Sequence, residues 1–190
     1  MSGARDPAGG TAEVRFPEIL DPGGTVLRRL RLSDAEAVFE RYAADPAVTR
    51  WLSFRTHHDV EDARGFCALM ERQWEAGRVF AYALLEPGDP RPFGTVDARV
   101  DGFRVAFGYA MARDRWSRGH ATRALAALVE VALAQPGVWR AWAVCDAENP
   151  ASARVMEKAG MSYEGRLRRW HVAPNLSPEP RDCLVYARVR

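Results

Sequence analysis

Cysteine is scarce: Cys67, Cys145 and Cys183 are odd in number and widely spaced in a chain of 190 residues, and no CxxC pair is present. That argues against a disulfide framework and against a zinc site, so reduced thiols, no bound metal and a cytoplasmic location are expected. Long apolar runs are also missing, since none approaches the roughly 20 residues that a membrane-crossing helix needs. Residues 1–15 lack the basic-then-apolar order of a signal peptide. Nor does charge of one sign dominate. Lys plus Arg number 27 against 25 Asp plus Glu, a formal net charge of +2. So even a balance argues against a duplex-binding surface and sets nucleic acid aside as a partner. Internal repeats and long low-complexity tracts are absent as well.

What is present suits one ordinary globular domain. Apolar residues make up 47% of the chain and charged residues 27%, and domains most often run to about 100 to 150 residues. Residues 1–15 hold Gly3, Pro7, Gly9 and Gly10 and almost no large apolar side chain. They are expected to form a flexible lead, with residues 16–190 as the single domain.

Alternation predicts a first strand over 26–32. Ser33 and Glu36 have the spacing of a capping box, opening a helix through Ala35, Val38, Phe39 and Tyr42 that Asp45-Pro46 ends. A second helix is predicted over 59–76, with Phe66, Met70 and Trp74 in line. Residues 79–85 read as an apolar strand. Strands 93–100 and 103–111 flank Asp101-Gly102, a dipeptide suited to a tight hairpin in which both central residues take positive φ. Leu125, Leu128, Val129, Ala132 and Leu133 then mark a helix that Pro136-Gly137 ends. A strand over 139–144 precedes a helix with Asn149 as N-cap, Pro150 at its first position and Gly160 at its stop. Strands over 162–172 and 182–189 close the chain around a Pro-rich loop, 174–180.

Two segments suggest chemistry. In Trp116-Ser117-Arg118-Gly119-His120-Ala121-Thr122 a small-residue turn enters a helix, leaving backbone N–H groups and the positive dipole end free to face an anion such as phosphate. An ordinary helix entry would read the same way. In Asn149-Pro150-Ala151-Ser152 the asparagine has a sufficient role as a cap, and Ser152 falls in the first turn.

Together the two segments resemble the GCN5-related N-acetyltransferase (GNAT) family, whose cofactor loop reads roughly Q/R-x-x-G-x-G/A at a strand-to-helix junction. Trp116 stands where Gln or Arg is usual. The branch that acetylates ribosomal-protein N-termini (RimJ/RimL-like) is the most similar, through W-x-x-G-x-A-T and through the run from Asn149 to Met161, which is similar to that branch's N-x-x-S-x-x-v-x-e-K-x-G-[FM] helix. The resemblance covers residues 25–189. It implies an α/β (α+β) fold with a mixed, mostly antiparallel central sheet flanked by helices, agreeing with the element order read above.

The resemblance further implies an enzyme that passes the acetyl group of acetyl-CoA to an amine acceptor, either a protein N-terminus or a small molecule such as an antibiotic or metabolite. It places cofactor contacts at Met111, Arg113, Trp116, Arg118, Gly119, His120, Ala121, Thr122, Arg123, Asn149, Ser152 and Lys158. Backbone near Met111 is expected to meet the thioester carbonyl, and the Ser152 hydroxyl to protonate the leaving sulfur. Met156 occupies the place of a tyrosine acid in many relatives, and Val144 that of a glutamate base in some. Glu148, Asp97, His120 and His171 are the remaining candidates for the base. An α-amine loses its proton near pH 8, whereas a lysine needs about 10, which favours α-amino acceptors.

Loops 51–58 and 175–181 are expected to border the amine acceptor, in a monomer or homodimer. His57-His58 has no accompanying ligand pattern, so capping or acceptor contact is its expected use. Arg166, Arg168, Arg169 and Trp170 read either as a solvated strand face or as a basic surface. The two replacements, Val144 and Met156, leave open a non-catalytic acyl-CoA-binding protein.

Overall fold

The structure is a computed structural model in which residues 14–190 are described. Eight strands make one sheet: β1 (Ile19–Leu20), β2 (Val26–Arg29), β3 (Val79–Leu85), β4 (Gly94–Asp101), β5 (Arg104–Met111), β6 (Arg140–Asp146), β7 (Ser162–His171) and β8 (Arg181–Val189). Their spatial order is β1-β2-β3-β4-β5-β6-β8-β7. Five α-helical segments accompany them: α1 (Ala35–Val38), α2 (Pro46–Thr49), α3 (Val60–Glu75), α4 (His120–Ala134) and α5 (Pro150–Lys158). All neighbouring strands run antiparallel except β5 and β6. A parallel pair needs a crossover, and α4 supplies it. This is the mixed, mostly antiparallel architecture expected.

Strand alternation sorts the faces. Arg28, Ala83, Thr95 and Ala110 stand opposite one another across β2 to β5, while Leu27, Leu84, Tyr82, Val96 and Tyr109 belong to the other parity. Asp34 at the start of α1 reaches Arg28 on the first face, at 2.7 and 2.6 Å. Ser152 of α5 meets Tyr109 on the second. Both faces are therefore covered, and the core holds Leu27, Tyr42, Tyr82, Leu84, Phe93, Leu125 and Leu128 at below 2% exposure.

Several local expectations are corrected. Ser33 does not cap the first helix. Asp34 is buried and needs a cation, so its carboxylate pairs with Arg28 and accepts the Arg31 amide at 2.9 Å, drawing Leu32–Asp34 into a 3-10 turn. The helix then lasts four residues before a π-helical turn, Phe39–Ala43. Asp45-Pro46 begins α2 rather than only ending α1, because Asp45 accepts the Ala47 amide at 2.9 Å and proline fits the first helical position. The hairpin loop is Gly102-Phe103, one residue later than expected. Asp101 stays paired with Arg104, by register and by ion pair, and Gly102 alone takes positive φ, at 57°.

Strand β2 stops at Arg29, short of Leu32, and β6 continues to Asp146, two residues beyond the expected end. The two-residue β1 was not foreseen from alternation, being too short to show any. Of the expected lead, residues 1–13 lie outside the described residues. Val14 packs partly buried against the core, and the Arg15 amide donates to Gln135.

Between β5 and β6 the parallel pairing spans only Arg104–Phe107 against Arg140–Ala143. Past that point β5 follows β4 to Met111 and β6 follows β8 to Asp146. The two half-sheets separate there and leave a notch between residues 108–111 and 144–146.

Candidate active site

Backbone geometry supplies the first wall of the notch. The Ala112 amide donates to Phe93 at 2.7 Å, on the β4 side. Main-chain groups alternate along a strand, so Tyr109 and Met111 direct theirs away from β4, toward the gap. A polar ribbon edge thus lines an opening just past the last β5–β6 pair. The Met111 carbonyl is held by the indole Nε1 of Trp116, which donates to it at 2.9 Å.

The turn that follows is built around two left-handed residues, Ser117 at φ 62° and Gly119 at φ 79°. Gly119 is the N-cap of α4 and offers no side chain to the first-turn amides, and no acidic residue falls in that turn. Uncapped N–H groups therefore point outward at the positive end of a fifteen-residue helix, the arrangement that suits phosphate. Arg118 is exposed beside it, and Arg123 folds back so that its Nη1 donates to the Arg118 carbonyl at 3.3 Å. A Cβ at Gly119 would lie 2.9 Å from that same Nη1.

The second wall is the start of α5. Asn149 caps it, its Oδ1 accepting the Ser152 amide at 3.2 Å. Ser152 Oγ lies 2.7 Å from the Tyr109 hydroxyl, which spans the notch from β5. Burial pushes the Tyr109 phenol above its ordinary range, so it keeps its proton. Cys145 of β6 also touches the Ser152 hydroxyl; burial raises its thiol to about 12, against the smaller opposing pull of that hydrogen bond.

Residues 25–162 match the acetyltransferase (GNAT) domain family. The chain belongs to that family. Among GNAT relatives, the uncharacterized N-acetyltransferase YoaA of Bacillus subtilis is 26% identical over 178 residues, covering 92% of this chain and 98% of that one. The fold is shared with RimL, a ribosomal alpha-N-protein acetyltransferase solved with coenzyme A, at TM-score 0.80 and 18% identity over 90% of this chain and 98% of that one. It is also shared with RimJ of Mycobacterium smegmatis, at TM-score 0.77 and 24% identity over 90% and 84%.

The GNAT motif residues are not all gathered at the notch. His120 turns inward: its ring is buried, Nδ1 lies 2.7 Å from Thr25 Oγ1, and the ring packs 4.8 Å from Phe93. Only its backbone remains for the turn. Ala121 is buried and Thr122 half-buried in the same first turn. Arg113 is committed to Asp45, at 2.8 and 2.7 Å from the two carboxylate oxygens. Lys158 is exposed in the last turn of α5, at the end remote from Ser152.

The candidate bases are dispersed. Asp97 pairs with Arg99 over Gly108, whose missing side chain leaves room for them, and burial raises its carboxyl. Glu148 is paired with Arg181 at 2.9 Å. His171 ends β7 opposite Arg181 in register. Val144 is half-buried, and Met156 is wholly buried in the core.

The remaining residues singled out in the sequence lie in the following surroundings. Arg166 and Arg169 are each paired, with Asp182 and Glu179 at 2.8 Å, while Trp170 is exposed on the edge strand β7. His57 packs on Phe54 and Phe66 at 5.4 and 6.5 Å, and burial lowers its pKa. Among the described residues no His, Cys, Asp or Glu cluster is placed to hold a metal, and no helix is long and apolar enough to cross a membrane.

Three side chains come forward only in the structure: the Tyr109 phenol, the buried Asp146, and Asn175, which was expected only as part of the loop 175–181 bordering the acceptor. Tyr109 lies two residues before Met111, whose backbone alone was expected to take part. Its parity within β5 put the phenol on the α5 side, a signal that needed the strand pairing to be read.

Proposed function

We propose that this GNAT protein, acting as a single domain over residues 16–190, transfers the acetyl group of acetyl-CoA to a primary amine, with an α-amino group as acceptor. One observation carries the reading. The Tyr109–Ser152 pair and the edge of Tyr109 and Met111 lie where β5 and β6 part, and the uncapped turn at Gly119 follows that strand end, tied to it by Trp116 on the Met111 carbonyl.

The residues present fit that substrate. The first turn of α4, with Arg118 and Arg123, takes the diphosphate. The edge of β5 pairs with the amides of the pantetheine arm, and the Met111 N–H donates to the thioester oxygen as negative charge develops there. The amine nitrogen forms its bond to the acyl carbon while the carbon–sulfur bond breaks. Ser152 passes its hydroxyl proton to the departing thiolate as it takes one from the phenol of Tyr109, protonated at rest because of its burial, and solvent then returns a proton to that phenol. Solvent takes the proton of the α-amine, which demands less of a base than a lysine would.

This pair answers the loss of a tyrosine at Met156: the phenol comes from β5 instead of α5. It favours turnover over mere binding. RimL, named an alpha-N-protein acetyltransferase, supports an α-amine by analogy of fold. The test is coenzyme A release and product mass spectrometry with acetyl-CoA over free-N-terminus peptides and small primary amines. Acetylated α-amines are expected. Tight acetyl-CoA binding without turnover on any amine would refute the proposal.

A further inference from the structure

The segment between the π-helical turn and α3 crosses the open end of the notch. On the β5 side, α2 packs against β5 and its cap Asp45 holds Arg113, two residues past the strand. On the β6 side, Arg181 pairs with the fully buried carboxylate of Asp146 at 2.5 Å and lies 5.9 Å over the ring of Trp51. The strands that separate at Phe107 and Ala143 are thus rejoined, at a distance, by residues 46–57.

One side chain fastens this strap to the loop between β7 and β8. Asn175 Nδ2 donates to the Thr49 and Phe54 carbonyls at 2.8 and 2.7 Å. Its Oδ1 accepts the Thr56 amide at 3.0 Å and the Thr56 hydroxyl at 3.3 Å. Both ends of one amide are satisfied by main chain or side chain of a segment about 120 residues away in sequence. Such a two-sided clamp fixes position as well as contributing stability. The strap begins beside α1, which starts on the Arg28 face of the sheet, opposite the face that carries Ser152. It therefore borders the notch from the side left for an incoming amine.

We infer that Asn175 is a positioning residue for the amine acceptor: it holds residues 49–56 as one wall of the acceptor channel without touching acetyl-CoA. The inference rests on the transfer reading above. It separates cleanly from the cofactor machinery, because its four hydrogen bonds lie wholly within the strap and its loop.

The experiment compares wild type with Asn175→Ala, using whichever peptide or primary amine in a mixed panel wild type acetylates fastest. The expected result is a rise of about tenfold in the KM for that amine, with acetyl-CoA Kd unchanged, and faster trypsin cleavage after Arg50 and Arg55. Asn175→Asp keeps the oxygen and loses the two donors, so it should fall between the two; it carries the test if the alanine variant does not fold. A lowered Tm with an unaltered amine KM would overturn the inference and leave Asn175 a structural residue. Wild type that acetylates no amine would instead overturn the transfer reading itself.

Discussion

The Tyr109 hydroxyl lies 2.7 Å from Ser152 Oγ and 3.1 Å from the Ser152 carbonyl, tying the strand on one side of the notch to the helix on the other. Neither group is acidic alone at neutral pH. In the proposed transfer they act side by side as a short relay from a buried phenol to the leaving thiolate.

Ser152→Ala should lower kcat by about a hundredfold, the usual scale for losing a positioned proton donor, with little change in acetyl-CoA Kd. Tyr109→Phe should cost less, about tenfold, since water can resupply the serine. The double variant should be no slower than Ser152→Ala, and steady-state kinetics on all three forms checks this coupling. Multiplying effects would show that the two hydroxyls act apart.

Trp116 and Phe93 hold opposite ends of the same peptide unit, the indole on the Met111 carbonyl and Phe93 on the Ala112 amide. In the proposed transfer, that clamp steadies the peptide adjoining the Met111 N–H that meets the thioester. Trp116→Phe keeps the ring and removes the donor. It should lower kcat about tenfold, and raise the infrared stretching frequency of the bound acetyl carbonyl. An unshifted band would mean the clamp does not reach the carbonyl.

Gly119 takes φ 79°, a region in which a side chain is strained, and an added Cβ would crowd the Arg123 guanidinium. Gly119→Ala should therefore cost about 1 kcal/mol of stability and weaken acetyl-CoA. Gly119→Glu should abolish binding by setting a carboxylate against phosphate. Calorimetry with coenzyme A and acetyl-CoA measures both.

His120 and Asp146 are two of the groups that shape the pH response. Burial lowers the pKa of His120, and the cationic Arg123 nearby pushes in the same direction. A histidine whose folded pKa is depressed favours the neutral form, so its contribution is complete above about pH 6.5 and is lost as pH falls below that. Asp146 differs: burial alone would raise its carboxyl, but Arg181 and the Glu148 amide outweigh that and hold it low. Its contribution is present above about pH 4 and fades as pH drops through the folded value. His120→Gln should reduce the stability change between pH 7 and 5, with His57, lowered in the same sense, supplying part of what remains. Asp146→Asn should cost about 2 kcal/mol at pH 7, less than a fully buried pair because Arg181 is partly solvated. That deficit should shrink by pH 3 in urea titrations.

Much of this architecture is legible in the sequence. The second helix, the Asn149 cap and the closing strands lie within a few residues of where periodicity and punctuation put them, because each carries strong local signals: Asp59 at one N-terminus, Pro150 at another, Gly160 at a stop. Failures came where a distant partner overrode a local rule. Asp34 answered Arg28 instead of leaving the cap to Ser33, and Asp101 answered Arg104, moving the hairpin turn by one residue. The turn at Gly119 could be placed by its spacing, and the resemblance of two segments supplied its expected use, whereas the Tyr109–Ser152 contact joins residues 43 apart and depends on strand parity. The clamp of Asn175 spans far more chain and left no local trace.

The seam between β5 and β6 is only four residue pairs long. The width of the gap is therefore set by how the two half-sheets are hinged, and no single lining residue determines it. A substitution buried beneath that hinge, at Val105 or Ala141, can loosen ligand affinity while every contacting atom keeps its identity. Affinity in this protein is in that sense a property of joinery.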